Sequence, residues 1–397
     1  MSNKCPKCQF ENTSDSKFCK ECATSLFFVS IPFIYFIVFL LSAFIILSIQ
    51  TRAEILNIRE VTLEEVKSFA YNIQNVDSDS QWNELTKSHY DMYILEPCVT
   101  EKENKNFNIE GLLESIREYN RIKYDKKPII LAYADVGQAE DWRWYWQEDW
   151  EPGNPEWIVT TDPDEWEGNY PVAFWHPEWE NIVIYGSGGM SHVEIALQAG
   201  FDGIDLDWIE AFSDLNVVAK AEKDGIPDIA EAMLDFIEKM RIFARQSSSN
   251  ANPNFLIVAQ NAPDLFPENP NRYNEIIDAI SCEAIWFGGT GGYDDWDDPH
   301  GFNVPTNDIY SGWTEELLEY LSLISGLMPI FCVEYAQDFG GEFLASEVYT
   351  TLAPSRGFIP YCTRISLSEL SKTPYPPAYL EEERNKEARR KKSYIRR

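Results

Sequence analysis

The sequence predicts an α/β protein whose main domain is a (β/α)8 TIM barrel, preceded by a small zinc ribbon and one transmembrane helix. Three observations predict this arrangement: two C-x2-C pairs open the chain, a long uncharged apolar segment follows, and eight short apolar runs then alternate with helix-like or loop-like stretches. The predicted organisation is a ribbon at 1–25, a transmembrane helix at 26–49, a juxtamembrane linker at 50–67, the barrel at 68–374 and a charged tail at 375–397.

The composition is strongly acidic. Among 397 residues, 65 are Asp or Glu and 33 are Lys or Arg, which gives a formal net charge of -32. A surface this negative repels phosphate backbones, so nucleic acid is excluded as a partner. A neutral or cationic polymer remains compatible with the charge.

The N-terminal cysteines have the spacing of a zinc ribbon. The pairs Cys5 with Cys8 and Cys19 with Cys22 can place four thiolates around one tetrahedral ion. The alternative, two disulfides, requires an oxidising compartment and strains such closely spaced pairs. Because the four thiolates would complete the coordination, the predicted Zn2+ is structural, and no cofactor is predicted for catalysis.

The segment from Leu26 to Ile49 contains no charged residue, and about 20 apolar residues suffice to span a bilayer as a helix. A cleaved signal peptide is the alternative, but a zinc module is not a normal leader for one. Four lysines precede the segment, which favours a cytoplasmic N-terminus. We therefore expect a single-pass cell-membrane protein with an extracellular barrel, whose ribbon is available to a cytosolic partner.

Eight strand-like runs follow, as closure of a barrel requires. The runs are Phe69–Gln74, Met92–Leu95, Ile129–Asp135, Gly203–Trp208, Phe255–Gln260, Ile280–Ile285, Ile330–Tyr335 and Phe358–Cys362. Amphipathic helices are predicted between them at 109–119, 228–245 and 314–324.

The fourth run carries the first catalytic candidate. Alternation along a strand puts Asp205 and Asp207 on one face, and Asp207 lies at the end that forms the mouth of a barrel. Glu283, in the sixth run, can face it across the mouth. Glycoside cleavage needs two carboxyl groups of different proton affinity, so Asp207 and Glu283 are the predicted catalytic pair.

Other polar and aromatic residues at or near strand ends would bind sugar hydroxyls or stack on sugar rings. Each is also compatible with a structural role: Asp135 could cap a loop, and Asp205 could be an internal acid bonded to a neighbouring amide. The predicted substrate-binding residues are Tyr71, Gln74, Tyr133, Asp135, Trp175, Asp205, Gln260, Asn261, Glu334 and Tyr335.

The sequence bears on three other types of site. The segment Gly288–Gly292 lacks the lysine of a phosphate-binding loop and runs into the acidic stretch Asp294–Asp298, so it is predicted to be a mobile loop over the sixth strand. Calcium binding by those aspartates is an open alternative, although their spacing fits no standard calcium loop. The four histidines do not form the pairs that a metal-dependent barrel hydrolase requires.

Three stretches resemble glycoside hydrolase family 114, in particular its endo-α-1,4-polygalactosaminidase-like branch: Gly200–Gly203 with Leu206–Trp208, Ala132–Arg143, and Gln260–Asn261. The resemblance implies a retaining mechanism with Asp207 as nucleophile and Glu283 as general acid and then base. Asp135–Gln138 stands where the family commonly has Ser-x-Gly-Glu, and Trp208 replaces an Asn, so the identity of the sugar does not carry over.

The predicted function is a membrane-anchored extracellular glycoside hydrolase acting on a polysaccharide or glycan, for which an amino-sugar polymer would suit the acidic charge. Two alternatives remain: a carbohydrate-binding barrel without turnover, and a sugar sensor coupled to a cytosolic zinc ribbon. Amide variants of the two carboxylates separate the first from an enzyme, and deletion of residues 1–25 separates the second.

Overall fold

The structure, a computed structural model, describes residues 59–371 except 164–165, 187–189, 291–301, 307–310 and 337–341, together with residues 4, 7, 9 and 11. The chain divides into two compact units, Met1–Ile58 and Arg59–Arg397. Three predictions lie outside the described residues: the zinc ligands Cys5, Cys8, Cys19 and Cys22, the transmembrane helix at 26–49, and the charged tail. Within the described residues, no helix has the length and apolarity needed to cross a membrane.

Eight parallel strands form the main sheet in sequential order. The rings of Phe69 in the first strand and Tyr361 in the eighth lie 5.6 Å apart, so the sheet is nearly closed. The prediction of eight barrel strands is therefore confirmed. They are β1 Phe69–Asn72, β2 Met92–Leu95, β3 Ile129–Asp135, β4 Gly203–Asp207, β5 Leu256–Gln260, β6 Ala279–Glu283, β7 Ile330–Glu334 and β8 Ile359–Cys362.

Helices connect the strands, and the three predicted ones are present with bounds shifted by a few residues. Side-chain caps explain where several begin; Asp228, for example, accepts a hydrogen bond from the Glu231 amide at 3.0 Å. The helices are α1 Asp79–Lys87, α2 Ile109–Tyr124, α3 Pro177–Glu180, α4 His192–Ala199, α5 Leu215–Asp224, α6 Ile229–Ile242, α7 Pro270–Ile276, α8 Trp313–Ile324, α9 Glu342–Glu347 and α10 Ala353–Arg356.

Short elements complete the fold. Short 3-10 helices lie at Leu63–Glu65, Ile209–Phe212 and Pro263–Glu268, and π-helical turns lie at Asn181–Tyr185, Phe243–Ser247 and Val348–Leu352. Strand pairs outside the barrel are Arg59–Glu60 with Lys126–Lys127, Gln138–Glu140 with Asn169–Pro171, and Phe287–Thr290 with Phe302–Pro305. The last pair corrects the prediction of a loop at Gly288–Thr290, where the backbone is an antiparallel strand, while Gly291 and Gly292 lie outside the described residues.

The glycine-rich corner before β4 fixes where that strand begins. Gly200 ends α4 with φ of 83°, a left-handed conformation that suits glycine. Asp202 accepts a hydrogen bond from the Ile130 amide at 2.9 Å and pairs with Arg117 at 2.7 Å. A Cβ on Gly203 would lie 2.6 Å from Leu256 Cβ, so the adjoining strand leaves no room for a side chain. The Gly-Phe-Asp-Gly sequence thus sets the register of β4.

The other end of β4 is packed as tightly. The Val136 amide donates to the Asp207 carbonyl at 3.1 Å, which ties the turn after β3 to the end of β4. A Cβ on Gly137 would overlap the Trp208 carbonyl oxygen. The position of the Asp207 side chain therefore depends on a glycine in the neighbouring turn.

Candidate active site

Cross-strand register brings the predicted site residues onto the inner face of the barrel. Asp205 pairs with Tyr133, and Asp207 pairs with Asp135. Gln260 pairs with Ser281, and Glu283 follows two residues later on the same face of β6. Because paired residues of parallel strands project to the same side of the sheet, β3 to β6 direct acids and amides to one interior.

The surroundings of Asp207 favour an ionised carboxylate that accepts hydrogen bonds. Its Oδ2 accepts a hydrogen bond from the Tyr133 hydroxyl at 2.6 Å, and its Oδ1 accepts one from the Trp208 amide at 2.9 Å. Burial raises the pKa of Asp207, and these two hydrogen bonds oppose the increase. Both donors stabilise the ionised carboxylate.

The surroundings of Glu283 favour the protonated carboxyl group instead. Burial and then the negative charge of Asp207 raise the pKa of Glu283 to about 8, while Tyr335, Gln260 and Asn261 moderate the increase. Its backbone amide donates to Asn261 Oδ1 at 2.9 Å, which fixes the end of β6 against the end of β5. Of the two carboxyl groups, Glu283 is therefore the one whose environment favours the protonated form.

The two carboxyl groups form an asymmetric acid–base pair. Among the residues that the structure describes, no Lys or Arg forms an ion pair with either one. Their mutual repulsion is instead relieved by a proton on Glu283, since Asp207 has the two donors that stabilise an anion. Different proton affinities on two facing carboxyls are the requirement for glycosidic bond cleavage.

Both carboxyl groups line one cavity of about 620 Å3 at the barrel mouth. Six of the predicted substrate-binding residues line it as well: Tyr71, Gln74, Tyr133, Asp135, Asn261 and Tyr335. Asp135 also caps the turn after β3, because its Oδ1 accepts from the Gly137 and Gln138 amides at 3.1 and 2.8 Å. A cavity of this volume can hold a short stretch of a sugar chain.

Two predicted residues lie directly beneath the pair. Asp205 and Gln260 are both fully buried and do not line the cavity. The internal position expected for Asp205 is confirmed, but its expected hydrogen bond to a neighbouring amide is not: neither carboxyl oxygen has a hydrogen-bond partner among the described residues.

Two other predicted residues lie away from the cavity. Glu334 is fully buried and its oxygens accept from three successive backbone amides, those of Ile285, Trp286 and Phe287, at 2.9 to 3.1 Å. It anchors the chain after β6 and so supports Glu283 indirectly. Trp175 donates its indole N–H to Asp224 at 3.1 Å, near the end of α5. Neither position supports the predicted contact with substrate.

The cavity wall formed by the segment after β3 was missed in the sequence. Arg143 is fully buried there, between Glu96 at 2.8 Å and Glu140 at 2.6 Å, and its guanidinium lies 3.8 Å from the centre of the Trp142 ring. Glu140, Trp142 and Arg143 lie within a stretch already singled out for its resemblance. The lining residues that sequence reasoning missed include Glu96, Glu101, Trp166, Glu167, Asn169 and Glu210, whereas Gln138, Glu140, Trp142 and Trp208 belong to stretches quoted for the resemblance.

The described residues contain no group of three or more His, Cys, Asp or Glu side chains arranged to hold a metal ion. The predicted zinc ligands and the stretch Asp294–Asp298 are not among those residues, so both predictions stand as they were made.

Comparison with known proteins finds relatives that match part of the chain. The chain is 28% identical over 218 residues to an uncharacterized protein of Methanocaldococcus jannaschii, covering 55% of each chain. It is 30% identical over 241 residues to an uncharacterized protein of Deinococcus radiodurans, covering 61% of this chain and 66% of the relative. The chain thus matches about half to two thirds of the length of these relatives.

Among solved structures, the glycoside hydrolase domain of PelA from Pseudomonas aeruginosa superposes with a TM-score of 0.51 at 16% identity, covering 78% of this chain and 98% of that domain. At this identity the likeness shows the fold. Residues 114–375 match the family described as glycoside-hydrolase family GH114, a match that includes both Asp207 and Glu283. The chain therefore belongs to glycoside-hydrolase family GH114, which confirms the prediction of a glycosidase.

Proposed function

We propose that the barrel hydrolyses O-glycosidic bonds with retention of configuration, Asp207 acting as nucleophile and Glu283 as general acid and then base. In the first step Asp207 attacks the anomeric carbon while Glu283 gives its proton to the departing glycosidic oxygen. In the second step Glu283, now a carboxylate, takes a proton from water as the water oxygen displaces Asp207. The enzyme then regains its starting protonation.

The observation that carries this proposal is the unequal environment of the two carboxyls. Asp207 accepts one hydrogen bond on each oxygen, from Tyr133 and Trp208. Glu283 has a pKa raised to about 8 by burial and by the charge of Asp207. An ionised nucleophile beside a protonated acid is the ground state that the first step requires.

We also propose a substrate that carries amino groups. Eight acidic residues line the cavity, and the described lining contains no Lys, Arg or His. With a net charge of -32 over the whole chain, this lining attracts cationic chains and repels anionic ones. The acidic residues are Glu96, Glu101, Asp135, Glu140, Glu167, Asp207, Glu210 and Glu283.

A polymer panel tests both statements. The purified barrel is incubated with de-N-acetylated galactosaminoglycan, its N-acetylated form and neutral glucans, and released reducing ends are measured. We expect turnover of the deacetylated polymer and a product whose first anomer, observed by NMR, keeps the substrate configuration. Binding without turnover across the panel would support the carbohydrate-binding alternative, and an inverted first anomer would remove the nucleophile role of Asp207.

For the N-terminal region we propose a structural zinc site at Cys5, Cys8, Cys19 and Cys22 and a single membrane span at 26–49. The cysteine spacing and the uncharged run support this arrangement. Zinc content of the full chain, compared with a variant in which all four cysteines are serine, tests the first. Protease accessibility of the barrel in intact cells tests the second, because an extracellular domain is cleaved without lysis.

A further inference from the structure

A layer of buried polar side chains without partners lies below the catalytic pair. Asp205, Gln260 and Ser281 are all fully buried. The side-chain oxygens of Asp205, both amide atoms of Gln260 and the Ser281 hydroxyl have no hydrogen-bond partner among the described residues. Buried polar atoms are nearly always paired, so a cluster of such atoms on adjacent strands calls for an explanation.

The register locates this layer. On the inner face Asp205 lies between its cross-strand partners Tyr133 of β3 and Val258 of β5, and Gln260 lies beside Ser281 of β6. The Gln260 amide makes no regular hydrogen bond to Glu283, but it lies close enough to oppose the rise in the pKa of Glu283. On the inner face, Asp205 therefore lies one position below Asp207, and the pair Gln260 and Ser281 lies one position below Glu283.

No positive charge compensates Asp205. The titratable groups that act on it are Asp207 from its own strand, Glu283 from β6 and Tyr71 from β1, and Tyr133 is its neighbour on β3. No ion pair to Asp205 exists within the described residues. The Tyr71 hydroxyl opposes the increase in the pKa of Asp205, but it carries no positive charge. An ionised carboxylate with no cation beside it costs far more to bury than a protonated carboxyl does. Burial, followed by the charges of Asp207 and Glu283, accordingly raises its pKa well above the usual range.

We propose that Asp205 is a positioning residue that stays protonated throughout turnover and, with Gln260 and Ser281, forms a neutral polar layer that orients Glu283. This inference rests on the proposed function, since it assigns support to the acid of the same reaction. A neutral Asp205 adds no repulsion to Asp207, and it keeps Gln260 in a polar setting from which its amide can face Glu283.

The protonation state is measured directly by infrared difference spectroscopy, which needs no activity. The wild-type spectrum is subtracted from that of Asp205→Asn at neutral pH. We expect the loss of one protonated-carboxyl C=O band. The matched control is Asp202→Asn, whose carboxylate pairs with Arg117, and it should lose only carboxylate bands. Loss of carboxylate bands in Asp205→Asn overturns the inference.

Kinetics test the positioning role. Asp205→Asn, a neutral isostere, should keep kcat within about threefold and both limbs of the pH profile within about half a unit. Asp205→Leu, of similar volume but without polar atoms, should lower kcat about tenfold or more with little change in KM. A pH limb that moves by about a unit or more in Asp205→Asn would show an ionised group. An equal loss of kcat in the two variants would show that a neutral polar side chain at position 205 does not support catalysis.

The two proposals fail separately. If the wild type shows no hydrolysis, the infrared result still decides the state of Asp205. If hydrolysis depends on Asp207 and Glu283 but the protonated band is missing, this inference alone is wrong. Should Asp205→Leu fail to fold, the infrared and Asp205→Asn results decide the matter.

Discussion

Replacing Tyr133 with phenylalanine removes one of the two hydrogen bonds that hold Asp207 as an anion. The Tyr133 hydroxyl lies 2.6 Å from Asp207 Oδ2, a length typical of hydrogen bonds to a charged acceptor. Such bonds contribute about 1.5–3 kcal/mol, and about 1.4 kcal/mol corresponds to one pKa unit. The pKa of Asp207 in Tyr133→Phe should therefore rise by about 1–2 units.

The sign follows from which form the bond stabilises. The hydroxyl donates to the ionised carboxylate, so its loss favours the protonated form, and the acid limb of the kcat/KM profile moves to higher pH. The alkaline limb, set by Glu283 with its pKa near 8, should move much less. The assay is release of reducing ends across the pH range, because kcat/KM reports groups of the free enzyme.

Tyr273→Phe is the matched control. Tyr273 is also fully buried, but its hydroxyl has no hydrogen-bond partner in the described part of the chain. Its replacement should leave both limbs in place. An unchanged acid limb in Tyr133→Phe, or an equal shift in the control, would refute the assignment of that limb to Asp207.

Three further variants test other parts of the site. In Glu283→Gln the alkaline limb should disappear and kcat on polymer fall roughly 100- to 10,000-fold, while substrates whose leaving group needs no proton keep a fast first step. Gly137→Ala forces the Trp208 carbonyl to move, and kcat/KM should fall about 10- to 100-fold with a lower Tm; unchanged kinetics would show that the turn adapts. Arg143→Leu leaves two buried glutamates without their cation and should cost about 3–5 kcal/mol in urea unfolding. Burial already raises the pKa of Glu140 to about 7, and without the arginine it rises further. A carboxyl group whose pKa is higher in the folded than in the unfolded chain leaves stability intact below the unfolded pKa. Stability is then lost as pH rises through the folded pKa, so the cost of Arg143→Leu should be larger in alkaline than in mildly acidic buffer.

The barrel could be predicted from the sequence because eight short apolar runs, each the length of a strand, alternate with longer connecting stretches. Asp207 and Glu283 were predicted as a pair because both lie near the ends of strand-like runs and strand ends converge in a barrel, and the structure places both at one cavity. The exact ends of α2 and α6 could not be predicted, because they depend on capping interactions that a hydrophobic pattern does not locate.

Glu334 shows where prediction failed. It ends β7 as Glu283 ends β6, yet its side chain points away from the cavity and binds three amides. In a strand buried on both faces, the apolar pattern does not reveal which face is inner. The Arg143 cluster was missed for another reason: its partners lie 3 and 47 residues away, and only the folded chain brings the more distant one close.

The central claim is that Asp207 forms the covalent bond to sugar, and mass spectrometry of a trapped intermediate tests it most directly. Glu283→Gln is incubated with a dinitrophenyl glycoside of the sugar identified by the polymer panel, so that the first step needs no acid and the second lacks its base. We expect the peptide containing Asp207 to gain the mass of one glycosyl unit, whereas Asp207→Asn in the same background should gain none. A label on another residue, or release of an inverted product with no adduct, would contradict it.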